Sequence, residues 1–298
     1  MNVQLFRTSS APILAMALAG CAANSYEETF CDTLECTFES ETDAWEASAD
    51  AAEDGEIGFG EEFRGAVRPG PSANRLTARP LGSTPAKQGY YEYLPPSYTQ
   101  WGEYPLLVFL HGLGENGNGS AEQLPRVLQH GPPKLIRANQ WPGSRPFVVL
   151  SPQKSGGGCP TADEVDAFID FALEHYNVDP ERVYLTGLSC GAYGVWNYLG
   201  KYKAERVRAA VPIAGNGIGA YDSAGCELGK VPIWAFHGDA DKTVSVSGTT
   251  TPVDKLTKCK PRPAVGATIY PKVGHDSWTR TYDGSAGHDI YTWLLEHD

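Results

Sequence analysis

The chain has 298 residues, 41% of them hydrophobic and 20% charged, which suits one globular domain of about 200 to 250 residues plus a leftover segment and excludes a wholly disordered protein. The formal net charge of −12 is local: residues 22–62 hold 14 Asp/Glu and no Lys/Arg, while residues 63–298 hold 22 acids against 23 bases. Without clustered Lys/Arg to neutralise phosphates, no nucleic-acid partner is expected.

An apolar run from Ala11 to Gly20 follows Arg7. It is too short for the roughly 20 residues that span a bilayer, but it suits the hydrophobic region of a signal peptide over 1–20. Leu18-Ala19-Gly20-Cys21 resembles the lipobox of bacterial lipoproteins. That resemblance implies cleavage before Cys21, acylation of its thiol and a lipid-anchored place in the bacterial envelope, with plain secretion as the alternative. Residues 21–62 combine acids with Ala, Ser and Thr and hold no apolar period, so self-repulsion predicts an acidic flexible tether. Within it, Cys31 and Cys36 are spaced to close a small loop in an oxidising compartment. Residues 63–87, rich in Pro, Gly and Arg, are expected to be a linker or an extended arm lying on the domain that fills 88–298.

From residue 88 onward, short β-branched or aromatic runs alternate with longer segments of helical period. This is the pattern of an α/β fold, a mainly parallel sheet with helices on both faces. Strands are predicted over 90–94, 105–110, 147–150, 182–186, 208–213, 231–236 and 267–270. Continuous apolar runs such as Leu106-Leu107-Val108-Phe109-Leu110 suit strands buried on both faces. Over 161–176, Val165, Phe168, Ile169 and Leu173 recur at helical spacing behind Thr161, with Glu164 three residues on as a capping box. Ile290, Trp293 and Leu294 repeat the spacing and predict a last helix. Open sheets of this kind carry their chemistry at the carboxyl ends of the strands.

Gly187-Leu188-Ser189-Cys190-Gly191 satisfies G-x-S-x-G, a pattern short enough to recur by chance. Its setting makes it informative. It follows a predicted strand and precedes Ala192, Val195, Trp196 and Leu199 at helical spacing, and a sharp strand-to-helix turn needs small residues beside the nucleophile. A free serine hydroxyl is hardly nucleophilic, so a histidine must take its proton and a carboxylate must hold that histidine in the right tautomer. In the chain order serine, acid, histidine, the ends of later strands supply Asp241 and His275, with Asp239 as the competing acid. Developing negative charge needs preorganised donors. The Cys190 amide is one, and the Leu113 amide, in the glycine-rich loop after the strand over 105–110, is the other. His111 and His237, each between a strand and a glycine, read as turn-shaping. His130, His175, His288 and His297 read as exposed or packed.

Six stretches carry a resemblance to a known group: Phe109-Leu110-His111-Gly112-Leu113-Gly114-Glu115-Asn116-Gly117, Gly131-Pro132-Pro133-Lys134-Leu135-Ile136, Val149-Leu150-Ser151-Pro152-Gln153, Tyr184-Leu185-Thr186-Gly187-Leu188-Ser189, Trp234-Ala235-Phe236-His237-Gly238 and Gly274-His275-Asp276-Ser277-Trp278. Residues 88–298 resemble secreted α/β-hydrolase carboxylesterases, among the dienelactone-hydrolase-like and prolyl-oligopeptidase-like families. The resemblance implies the α/β-hydrolase fold and an acyl-enzyme esterase with Ser189, Asp241 and His275 in the triad roles. Dienelactone hydrolases proper carry cysteine at the elbow centre, and prolyl oligopeptidases proper carry a β-propeller, so neither specific activity is transferred. The competing functions are a serine peptidase and a non-catalytic hydrolase-fold binding protein.

The expected substrate is a small-molecule or polysaccharide-linked ester, with membrane contact only through the lipid anchor. Trp278 and Tyr193 are the chosen pocket residues, and Trp101, Trp196 and Tyr282 are further candidates. No cofactor or metal is expected, since the chain has no phosphate-binding or dinucleotide fingerprint and no ligand-spaced His/Cys cluster. With Cys21 acylated and Cys31 joined to Cys36, four cysteines remain: Cys159, Cys190, Cys226 and Cys259. The expected adjacency of sequential parallel strands favours a bridge between Cys190 and Cys226, with a packed free thiol at Cys190 as the alternative.

Overall fold

The computed structural model describes residues 71–260 and 264–297. The expected signal peptide, the Cys21 anchor, the acidic tether with Cys31 and Cys36, and residues 63–70 lie outside the described residues.

Among the described residues, eight strands form one sheet: β1 (Leu76–Arg79), β2 (Tyr90–Tyr93), β3 (Tyr104–Leu110), β4 (Val148–Pro152), β5 (Val178–Leu188), β6 (Val207–Ile213), β7 (Ile233–Gly238) and β8 (Val265–Tyr270). Their order is β1-β2-β4-β3-β5-β6-β7-β8. The six from β4 to β8 across the sheet pair in parallel, and β1 and β2 close one edge as antiparallel strands. Seven helices accompany them: α1 (Gly131–Arg137), α2 (Ala162–His175), α3 (Cys190–Tyr202), α4 (Ile218–Ala224), α5 (Ser247–Leu256), α6 (Trp278–Tyr282) and α7 (Ile290–Leu295). This is the α/β-hydrolase fold.

The central strand β3 is apolar along its length because both its faces are covered. Side chains alternate between faces. Leu106, Val108 and Leu110 of β3 therefore join Phe168 and Ile169 of α2 and Val195 and Leu199 of α3 in one core layer. Leu107 and Phe109 join Ile136 of α1, Tyr282 of α6 and Ile290 and Leu294 of α7 in the other. The α2 start carries the expected box, with Thr161 Oγ1 accepting the Glu164 amide and Glu164 accepting the Thr161 amide.

Two expectations are corrected. Residues 71–87 are not a linker: β1 extends the sheet, and Arg79 pairs with buried Glu92 of β2 through two hydrogen bonds of 3.2 and 3.0 Å. The domain therefore begins before residue 88. The second correction concerns the cysteines. Cys159 is joined to Cys190 and Cys226 to Cys259, so Cys190 is neither bridged to Cys226 nor a free thiol. Strands β5 and β6 are neighbours as expected, but strand direction decides the pairing. Cys190 follows the carboxyl end of β5, whereas Cys226 follows α4 and leads into the amino end of β7. A six-residue strand separates those ends by roughly 20 Å, beyond the reach of a disulfide. After α5 the chain has returned to the amino ends of the strands, and this brings Cys259 to Cys226.

Candidate active site

β5 ends at Leu188 and α3 begins at Cys190, so Ser189 occupies a one-residue turn. Its φ of 49° lies in the left-handed region, which is costly for a residue bearing a Cβ and persists only when the surroundings enforce it. Enforcement comes from close packing at Gly191. A Cβ there would lie 2.0 Å from the Leu110 carbonyl oxygen of β3, so only glycine lets α3 start this close to the sheet.

The loops after β7 and β8 carry the two expected partners to Ser189. The hydroxyl of Ser189 donates to His275 Nε2 at 2.9 Å, and His275 Nδ1 donates to Asp241 Oδ2 at 2.7 Å. The two contacts assign the neutral His275 tautomer with hydrogen on Nδ1. Asp241 is sealed from solvent, while His275 keeps 22% of its side-chain surface exposed. Burial alone would raise the Asp241 carboxyl. The His275 hydrogen bond and the amides of Val244 and Thr243 outweigh it and hold the group below the usual carboxylate range. Asp239 turns elsewhere: its Oδ1 accepts the Lys272 amide at 2.6 Å and braces the loop after β8.

The glycine-rich loop after β3 lies against the same turn. A Cβ on Gly112 would sit 2.9 Å from Leu188 Cδ1 and 3.9 Å from Ser189 Cβ. The 3-10 turn Leu113–Glu115 starts there. As the first residues of helical turns, Leu113 and Cys190 have amides without an intrahelical acceptor, which suits them to an anion. The Leu113 side chain is 57% exposed.

Of the aromatic candidates, Trp278 stands at the site, its ring edge-on to His275 at 5.0 Å between centroids. Its indole donates to His130 Nδ1 at 3.3 Å, and His130 Nε2 lies 3.8 Å from Glu115 of the glycine-rich loop. Tyr193 is half-buried one turn into α3, its amide on the Ser189 carbonyl. The other three belong elsewhere. Trp196 is core, and Tyr282 is buried against Thr186 of β5 at 2.9 Å. Trp101 is exposed in the turn entering the amino end of β3, the end of the sheet away from Ser189.

Sequence reasoning underrated three polar residues. His111 is buried, with Nδ1 donating to the Gly112 carbonyl at 2.7 Å and Nε2 accepting the Lys154 amide at 2.9 Å. Burial pushes its imidazole down to about 4, with the Gly112 carbonyl opposing. Buried Gln153 uses its whole amide: Nε2 donates to the Glu115 and Gln123 carbonyls and Oε1 accepts the Gly119 amide. His237 approaches Asp241 Oδ2 at 3.1 Å. The available signal was a polar side chain at or directly after the end of an apolar strand.

No protein-family model matches the chain. It is 27% identical over 156 residues to an acetylxylan esterase of Coprinopsis cinerea, which takes in 50% of this chain and 40% of that protein. It is 28% identical over 148 residues to the bifunctional acetylxylan esterase/xylanase XynS20E of Neocallimastix patriciarum, 47% of this chain and 20% of that one. The chain thus spans less than half the length of these curated relatives. Among solved structures, a thermostable esterase superposes with a TM-score of 0.57 at 26% identity, covering 75% of this chain and 63% of that one.

Proposed function

We propose that the chain is an exported serine hydrolase that cleaves carboxylic esters, polysaccharide-linked ones included, through an acyl-enzyme. The observation that carries the reading is the continuous relay from Ser189 through His275 to sealed Asp241, at 2.9 and 2.7 Å. In this mechanism His275 Nε2 takes the hydroxyl proton as Ser189 Oγ attacks the ester carbonyl, and Asp241 stabilises the imidazolium that forms. Negative charge on the carbonyl oxygen is received by the Leu113 and Cys190 amides, each worth about 2.7 to 4 kcal/mol in the transition state. Collapse of the tetrahedral intermediate breaks the ester bond, and His275 returns the proton to the departing alcohol. Water activated by His275 then attacks the acyl-Ser189 carbonyl and frees the acid. Trp278, edge-on to His275, forms one wall beside the reacting atoms. The esterase names of both curated relatives and of the thermostable esterase favour an ester over an amide, and the acetylxylan esterases favour a polysaccharide-borne acyl group.

An organophosphonate probe labels Ser189, and Ser189→Ala abolishes both labelling and release of acid from aryl esters and acetylated xylan while leaving the fold intact. Labelling that persists in the variant, or turnover of peptide amides in preference to every ester offered, refutes the proposal. Export is supported by two disulfides within the domain, which persist in oxidising compartments. The Cys21 anchor predicts extraction by detergent and release of Cys21→Ser into the aqueous fraction; wild-type protein already in that fraction refutes the anchor.

A further inference from the structure

Asp241 divides its two oxygens among four donors. Oδ1 accepts the Thr243 and Val244 amides at 2.8 and 3.0 Å, which orients the carboxylate from its own loop. Oδ2 accepts from His275 Nδ1 at 2.7 Å and also lies 3.1 Å from His237 Nε2. His237 sits near the carboxyl end of β7 with no exposed surface. Its Nε2 meets two groups that only accept, Asp241 Oδ2 and the Val244 carbonyl at 3.0 Å, so that nitrogen carries hydrogen. Its Nδ1 faces the buried Thr249 hydroxyl of α5 at 2.8 Å. Burial pushes the imidazole below its ordinary value, although the Val244 carbonyl and Asp241 oppose this. Nδ1 is then the acceptor of the threonine proton, and one hydrogen-bond chain runs from Thr249 through His237 and Asp241 to His275.

We propose that His237 is a positioning residue for ester hydrolysis: it donates to the same Asp241 oxygen that serves His275, and thereby sets the direction and the basicity of that carboxylate. The proposal rests on the triad reading above and deepens it. A carboxylate held on Oδ2 by His275 alone follows that ring when it moves, whereas a second, fully buried donor keeps Oδ2 in place as His275 gains and loses its proton. The same donor draws charge from Oδ2, so less negative charge faces His275 Nδ1 than beside a singly bonded carboxylate. A residue that merely shaped the turn would be satisfied by the Val244 carbonyl. The charged or titratable groups facing His237 are Asp241 from the loop after β7 and His275 from the loop after β8, and α5 contributes only the uncharged Thr249 hydroxyl.

The test measures kcat, KM and the pH profile of kcat/KM on an aryl ester for the full chain carrying His237→Phe, His237→Gln or His237→Asn, beside Ser189→Ala. His237→Phe lowers kcat by about 10- to 100-fold with KM nearly unchanged, and moves the acid limb of the profile to higher pH. His237→Gln, whose amide nitrogen takes the place of Nε2, restores the limb and most of kcat. Wild-type kcat and limb in His237→Phe, or equal losses in the Phe and Gln variants, overturns the inference. Should His237→Phe not fold, His237→Asn decides, because its shorter amide takes the place of Nδ1 beside the Thr249 hydroxyl but puts no donor at Asp241 Oδ2: a limb moved to higher pH supports the role and an unmoved one overturns it. Activity that survives Ser189→Ala overturns the triad reading and this proposal with it, whereas a Ser189-dependent enzyme indifferent to His237 overturns the proposal alone.

Discussion

The stability of this fold in mild acid depends on His111. Its ring joins the loop after β3 to the loop after β4, and both of its hydrogen bonds require the neutral form. Protonation places a second N–H against the Lys154 amide, donor against donor, with almost no solvent to relieve it. Burial sets the folded-state value at about 4, against the 6.5 expected of an exposed imidazole. Between these values the unfolded chain binds the proton and the folded chain does not. The stabilisation is therefore fully present above pH 6.5, is lost as pH falls from 6.5 to about 4, and loses no more below that. The gap of about 2.5 pH units at about 1.4 kcal/mol each gives a loss of about 3 kcal/mol.

Urea unfolding at intervals from pH 7 to pH 4, on the wild type and on His111→Asn, isolates this contribution. The variant is less stable throughout because it loses the ring's contacts, but its stability falls less steeply with acid. The difference between the two curves narrows by about 3 kcal/mol across the window. His237 and His288 also have values lowered mainly by burial, and both are present in both proteins. Parallel curves refute the argument, since they mean that His111 binds its proton equally well folded and unfolded.

Asp241→Asn lowers kcat by roughly 10⁴-fold because an amide leaves the imidazole in the wrong tautomer, whereas Asp239→Asn keeps an oxygen for the Lys272 amide and lowers kcat by less than about 10-fold; steady-state kinetics with the ranking reversed reject the assignment. The two disulfides close loops of similar length, with separations of 31 and 33 residues, so replacing either pair by alanines costs a similar stability, roughly 3 to 4 kcal/mol by loop entropy. Only loss of Cys159–Cys190 also lowers kcat, because only that bridge holds a proposed oxyanion donor; equal kcat in the two double variants refutes this role.

The strand rhythm was legible because strands covered on both faces must be continuously apolar, and the β3 run Leu106 to Leu110 meets both core layers. The segment Leu76-Thr77-Ala78-Arg79 offers no such signal. It is a strand because the free edge of β2 pairs with it and Glu92 receives Arg79, and partners 11 to 17 residues away are invisible in the segment itself. The hydrogen-bonded relay was legible for a chemical reason: the proposed nucleophile, acid and base each had to follow a strand, and Ser189, Asp241 and His275 do. The second partner of Asp241 was not legible, because the loop after β7 folds back on its own strand to bring His237 within reach of a residue four positions on.

The loop after β4 adds no member to the relay, yet it grips both walls that flank Ser189. Gln153 and the Lys154 amide hold the loop after β3 through the Glu115 carbonyl and the His111 ring. Asn116 reaches back to the Gly156 and Gly158 carbonyls at 2.9 and 3.0 Å. Cys159 then binds covalently to Cys190, whose amide is the other proposed donor to the oxyanion. Two amides that must converge on one oxygen therefore come from loops fastened to a common third loop. A displacement of that loop moves both donors together, which preserves their spacing better than two independent loops would. The same topology explains why the cysteine pairing escaped sequence reasoning. Adjacency in chain order pointed from β5 to β6, but β4 reaches the elbow from across β3, because the sheet order places β3 between β4 and β5. A short loop at the carboxyl end of β4 spans that width, while the longer excursion after β6 descends to the other end of the sheet before it presents Cys226.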